Sequence, residues 1–158
     1  MHIRIYTEDS YGKPFFKRLI QRLKESNKAP KNLAIECTHL LAPCNPKLER
    51  LIIADMMDFD KVIIIADGDN HPKTKEKEIK GHVPRKFRKN IKIIVFKYEI
   101  EEWICRSLGI AYRGKPSAAL KRLKNYFKRD LPKYVEKLDL ERLDKEATFQ
   151  EFLKAIKD

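Results

Sequence analysis

The run Val62-Ile63-Ile64-Ile65-Ala66 is apolar at odd and even positions alike, and no other feature constrains the chain as strongly. A strand with one wet face alternates apolar and polar residues. A strand apolar on both faces is covered from both sides, as in the interior of a parallel sheet sandwiched between helices. Segments 2–6, 33–37 and 91–96 are likewise short and rich in β-branched residues, so with 61–66 they make four predicted strands. Helical patterns separate them, and such alternation implies βαβ crossovers. The expected fold is α/β: a central parallel four-stranded sheet flanked by helices, with additional helices at the C-terminal end.

The helical patterns are specific. Phe16, Leu19, Ile20 and Leu23 form one stripe, with Lys17, Arg18, Arg22 and Lys24 facing away. A second helix is expected to open with Asn45 as N-cap and Pro46 at its first position, burying Leu48, Leu51, Ile52 and Met56. Residues 70–89 are less periodic, and the interruption from Gly81 to Pro84 predicts a loop and a short helix. Beyond the fourth strand, 101–108 reads as a helix ending near Gly109. Residues 117–129 read as an amphipathic helix with Leu120, Leu123 and Phe127 inward and Lys121, Arg122, Lys124, Lys128 and Arg129 outward. Thr148 and Glu151 form a capping-box pattern before Phe152, Leu153 and Ile156. A length of 158 residues suits a single core, and there is no repeat or low-complexity linker. Residues 1–108 are therefore read as the core and 109–158 as a helical extension of one domain.

The chain carries 35 Lys and Arg against 23 Asp and Glu, a formal charge of +12. That excess favours a polyanionic partner such as nucleic acid, although 37% charged residues also suits a chain selected for heat stability. No apolar run is long enough to span a bilayer, and no basic segment followed by an apolar stretch opens the chain, so a cytoplasmic location is expected. Cys37, Cys44 and Cys105 are too few and too oddly spaced for a disulfide framework, and Cys37, His39 and Cys44 match no common zinc knuckle.

Acidic residues stand where the strands end. In an open parallel sheet every strand delivers its following loop to the same edge, so these positions converge. The first strand runs into Glu8-Asp9, the third into Asp67-Gly68-Asp69, and the fourth into Glu99-Ile100-Glu101-Glu102. Taken singly, Asp-Gly-Asp is an ordinary polar turn and each glutamate an ordinary solvated residue. Together they predict carboxylates that repel unless protonated or neutralised by a cation, and oxygen-only ligands suit Mg²⁺ or Mn²⁺.

Glu8 followed by a helix opening at Gly12 and continuing Phe15-Phe16-Lys17-Arg18-Leu19 resembles the first motif of topoisomerase-primase (Toprim) domains. Ala66-Asp67-Gly68-Asp69 resembles their Asp-x-Asp motif. Tyr98-Glu99-Ile100-Glu101-Glu102-Trp103 is similar to an acidic segment in small stand-alone Toprim proteins related to the nuclease half of the overcoming-lysogenisation-defect family. The chain departs from the pattern at Asp9, where glycine is usual. The resemblance implies Mg²⁺-dependent phosphodiester chemistry, with Asp67 and Asp69 on metal and Glu8 sharing a metal or acting as general acid or base. Glu99 or Glu101 would complete a second metal position. Related nuclease systems often have an ATPase fused or nearby; this chain has no Gly-rich phosphate loop of its own, so an ATPase here would be a separate partner, and the sequence does not say whether one exists.

Between the Asp-x-Asp loop and the fourth strand lie Lys73, Lys75, Lys77, Arg85, Lys86, Arg88 and Lys89, with Lys97 at that strand's end. This series is expected to track a phosphate backbone toward the acids; Phe87 is its one aromatic residue, so base stacking is not predicted from it. A metal-dependent nuclease leads the readings. A catalytically silent nucleic-acid-binding or regulatory module comes second. A phosphatase of the haloacid-dehalogenase type comes last, because that family carries its Asp-x-Asp after the first core strand.

Overall fold

The computed structural model describes residues 1–158. Strands β1 (His2–Thr7), β2 (Ala34–His39), β3 (Lys61–Asp67) and β4 (Ile91–Phe96) form one parallel sheet in the order β2-β1-β3-β4. Helix α1 (Gly12–Glu25) connects β1 to β2. Helix α2 (Lys47–Asp55) connects β2 to β3, and α3 (Pro72–Gly81) with a 3₁₀ turn at Arg85–Phe87 connects β3 to β4. The chain leaves β1 toward one edge and returns past it toward the other, so the topology switches between β1 and β3. Crevices at such points lie beyond the carboxyl ends of the strands.

β3 is wrapped as its sequence requires. Ile63 and Ile65 enter a core shared with α1 and the C-terminal helices, while Val62, Ile64 and Ala66 enter a second core under α2 and α3. The first core centres on Trp103, which packs edge-on against Phe16, Phe96 and Phe149. Burial of these aromatics contributes roughly 2–3 kcal/mol per side chain. After β4 the chain adds α4 (Glu101–Leu108), α5 (Pro116–Lys124), a 3₁₀ segment at Lys128–Lys137, α6 (Leu140–Leu143) and α7 (Ala147–Lys157). Gly109 ends α4 with φ of 68°, a left-handed cap. No helix is long and apolar enough to cross a membrane.

The structure departs from the sequence expectations at several places. The helix expected over 117–129 stops at Lys124 because Asn125 turns left-handed at φ 52°, and this leaves Leu123 and Phe127 exposed. Leu51 is also exposed, since α2 leans on the sheet through Leu48 and Ile52. α2 begins at Lys47, one residue later than expected, with Pro46 at the cap position, and Asn45 Oδ1 accepts the Lys47 N–H at 2.9 Å from just outside it. Thr148 does not cap α7; its Oγ1 accepts from Trp103 Nε1 at 2.9 Å. Between β3 and β4 the loop-and-short-helix expectation resolves into α3, a ten-residue crossover helix, and one 3₁₀ turn.

Candidate functional site

Two close approaches bring the acidic loops together. A Cβ on Gly12 would lie 2.3 Å from Thr7 Oγ1, so α1 starts hard against the end of β1. A Cβ on Gly68 would lie 2.0 Å from the Phe96 carbonyl oxygen, so only glycine lets the turn after β3 press on the end of β4. The Asn70 N–H then bonds the Lys97 carbonyl at 2.8 Å and ties these loops. Asp69 and Asn70 take positive φ values of 47° and 70° in this turn, a conformation that Asp and Asn tolerate better than most residues.

Glu8 pairs with Lys75 Nζ of α3 at 2.9 Å. Asp9 accepts the Tyr11 N–H at 2.8 Å with one oxygen and faces Lys128 Nζ at 2.7 Å with the other. The same ammonium contacts Glu101 and lies 3.8 Å from Glu99. Glu101 is fully buried, and Tyr126 donates its hydroxyl to the carboxylate at 3.0 Å. Glu99 also accepts the Ser117 N–H at 2.9 Å and so holds the start of α5. Glu102 stands apart, turned back onto the N–H groups of Tyr98 and Glu99 at the start of α4. Of the three glutamates that follow β4, the structure thus brings Glu99 and Glu101 to the site and gives Glu102 a capping role.

The electrostatics record the crowding. Burial, then the charge of Glu8, pushes the Asp67 carboxyl up to about 8, with Glu101 and Asp9 adding to the rise and Lys128 opposing it. Burial also raises Glu8 and Glu101 despite their lysine partners. For Lys128 burial works against the charge, but Glu101 and Asp9 prevail and hold the ammonium above its usual range. Five carboxylates (Glu8, Asp9, Asp67, Glu99, Glu101) meet two ammonium groups (Lys75, Lys128). Of the buried oxygens here, Glu101 Oε2 has no partner, while Glu8 Oε1 and Asp9 Oδ2 have only the Lys75 and Lys128 ammonium groups. Such hard oxygen donors fit Mg²⁺ or Mn²⁺. Their spacing is another matter: no three His, Cys, Asp or Glu side chains are arranged to hold a metal. Asp69 is exposed, at the rim of the cluster.

The expected basic track is split. Lys73, Lys75 and Lys77 lie on α3, which starts at the acidic edge, and exposed Lys97 follows β4 at that edge. Ten helical residues advance roughly 15 Å, so Arg85, Lys86, Arg88 and Lys89, on the turn that leads into the start of β4, sit toward the opposite edge of the sheet. They cannot contact the same phosphates as residues at the acids. Lys75 is engaged with Glu8. Asp9, Tyr126 and Lys128 are the site members sequence reasoning missed. Asp9 carried the signal of convergence with Glu8, whereas Lys128 looked like one more residue of a solvated basic face.

Comparison with known protein families, with curated proteins and with solved structures finds no match for this chain.

Proposed function

We propose that this domain processes phosphodiester bonds in nucleic acid with the help of a divalent cation, as the Toprim resemblance implies. The observation that carries the reading is the excess of buried and half-buried carboxylate at the β1/β3 switch point, five groups against two ammonium groups, with Glu101 Oε2 left without a partner. Asp67, Glu8 and rim-lying Asp69 would hold Mg²⁺ or Mn²⁺ on one side, with Glu99 or Glu101 on the other. When bound, the metal would neutralise phosphate charge and lower the pKa of a water. The chain's own residues do the rest. Glu8, where it does not share the metal, would move a proton, while Lys73 and Lys97 would offer charge to the entering backbone.

A second reading is a nucleic-acid-binding module without catalysis. It is favoured by the two lysines that already neutralise Glu8, Asp9 and Glu101, and by the lack of a three-acid cage. The deciding experiment incubates the protein with labelled single-stranded and duplex DNA and RNA in Mg²⁺, Mn²⁺ or EDTA, beside Glu8→Ala and Asp67→Ala. Metal-dependent cleavage lost in both variants supports the enzyme. Binding without cleavage under any metal supports the module.

A further inference from the structure

The break in the helix expected over 117–129 leaves an aromatic ring at the site. Asn125 turns the chain, Phe127 follows in extended conformation with its ring 40% exposed, and the next residue, Lys128, points into the acids. Arg129 Cζ lies 4.9 Å and Lys121 Nζ 5.8 Å from the centre of that ring. Tyr11 is 39% exposed and stands at the same cluster, because its N–H is bound by Asp9, the carboxylate that faces Lys128. Thus each of two exposed aromatic side chains belongs to a residue joined directly to an Asp9–Lys128 pair.

Large aromatic rings are normally covered in a monomer, and the half-open Phe127 ring has two cations beside it. A flat ring flanked by positive charge, with a second exposed ring at the same cluster, suits one ligand class particularly well: unpaired bases on a phosphate backbone. Bases stack on aromatic faces whatever their identity, and Lys or Arg takes the phosphates. A duplex hides its base faces and has no use for such rings.

We infer that the strand taken by this site is single-stranded nucleic acid, with bases stacked on Phe127 and Tyr11 and backbone charge met by Lys121 and Arg129. The inference rests on the nucleic-acid part of the reading above and not on catalysis. Sequence position alone did not suggest stacking, because the aromatics lie outside the basic segment between β3 and β4.

The test is fluorescence anisotropy in EDTA with a labelled twenty-nucleotide single strand, as DNA and as RNA, against the matching duplexes. Wild type binds the single strands at least about 10-fold tighter than the duplexes. Loss of one stacked base weakens binding about 5-fold or more, so Phe127→Ala and Tyr11→Ala each show this loss on single strands and little on duplex. Phe127→Trp retains affinity, and its new indole is quenched by the oligonucleotide. Urea midpoints equal to wild type show that the alanine variants are folded. Equal or tighter duplex binding, or single-strand affinity unchanged in both alanine variants, overturns the inference while leaving a duplex-cutting nuclease intact. If neither form binds at any salt concentration, the nucleic-acid reading falls with it. Single-strand preference without cleavage in Mg²⁺ or Mn²⁺ sustains the inference and removes the enzyme. The DNA and RNA arms identify which sugar the site accepts.

Discussion

Replacing Lys128 with methionine keeps most of the side chain's bulk and removes its charge, and the consequence can be worked from what the ammonium touches. It faces Asp9 at 2.7 Å, Glu99 at 3.8 Å and also Glu101, whose side chains are only 3%, 10% and 0% exposed. Breaking a buried pair from one side costs about 3–5 kcal/mol because the abandoned charge remains. Lys128 itself is 37% exposed, so water recovers part of this and about 2–3 kcal/mol is expected at pH 8. The sign with pH follows from the carboxylates. Lys128 is held above its usual range, so its contribution is complete throughout the neutral region. Glu101 is raised by burial even with its partner present, and without it the carboxyl rises further. A raised acid destabilises the fold as pH climbs past its unfolded value near 4.5, so the variant's deficit opens above that point and closes below it. Urea unfolding in EDTA at pH 4 and pH 8 reads the difference directly. The double variant Lys128→Met with Glu101→Gln should regain part of the loss, since a neutral amide replaces the unpaired charge. A deficit under about 0.5 kcal/mol at pH 8, or one equal at both pH values, would refute the buried-pair reasoning.

Asp67→Asn should stabilise the protein at pH 8 by about 1–3 kcal/mol and have little effect near pH 3.5. The folded carboxyl is held up to about 8, so ionisation opposes folding between the unfolded value of 3.8 and that point; thermal melts across pH check this, and Mn²⁺ should raise the melting temperature of wild type but not of the variant. Gly68→Ala should lose about 3 kcal/mol or more by urea unfolding, because its methyl group would collide with the Phe96 carbonyl, which is backbone and cannot rotate away. Glu102→Ala should cost about 1–2 kcal/mol in the same assay, without changing metal affinity, because it strips the Tyr98 and Glu99 N–H groups of their acceptor.

The sheet was legible because its evidence is local. Five consecutive apolar residues in β3 can be explained only by two covers, and the two cores divide them by parity. The α1 stripe of Phe16, Leu19, Ile20 and Leu23 is buried as its period demands. Convergence of Glu8 and Asp67 followed from parallel topology alone. The failures need three-dimensional information. Nothing in the periodicity of 117–129 distinguishes Asn125 as a helix stop from Asn125 on a polar face, yet its left-handed turn redirects Phe127 and Lys128. Likewise, contiguity made Lys73 through Lys89 look like one basic track, but the length of α3 carries its second half toward the far edge.

The basic face of α1 supplies the remaining step, because it is a clamp more than a solvated surface. Arg22 donates to the carbonyls of Val135 at 2.6 Å and Leu138 at 2.7 Å, and Arg18 to that of Pro132 at 3.2 Å. These carbonyls belong to the 3₁₀ segment and its exit, where helical bonding leaves acceptors free. The same segment begins with Lys128, so α1 presents Asp9 just before its own start and fastens, along its length, the segment that answers Asp9 with a cation. Residues 109–158 are therefore part of the acidic site: Tyr126 and Lys128 both contact Glu101 from within them. A chain cut after α4 would keep all five carboxylates but lose that ammonium, along with the Phe149 and Phe152 rings that cover Trp103. The charge balance at the switch point is thus set partly by α3, through Lys75, and partly by the end of the chain, through Lys128.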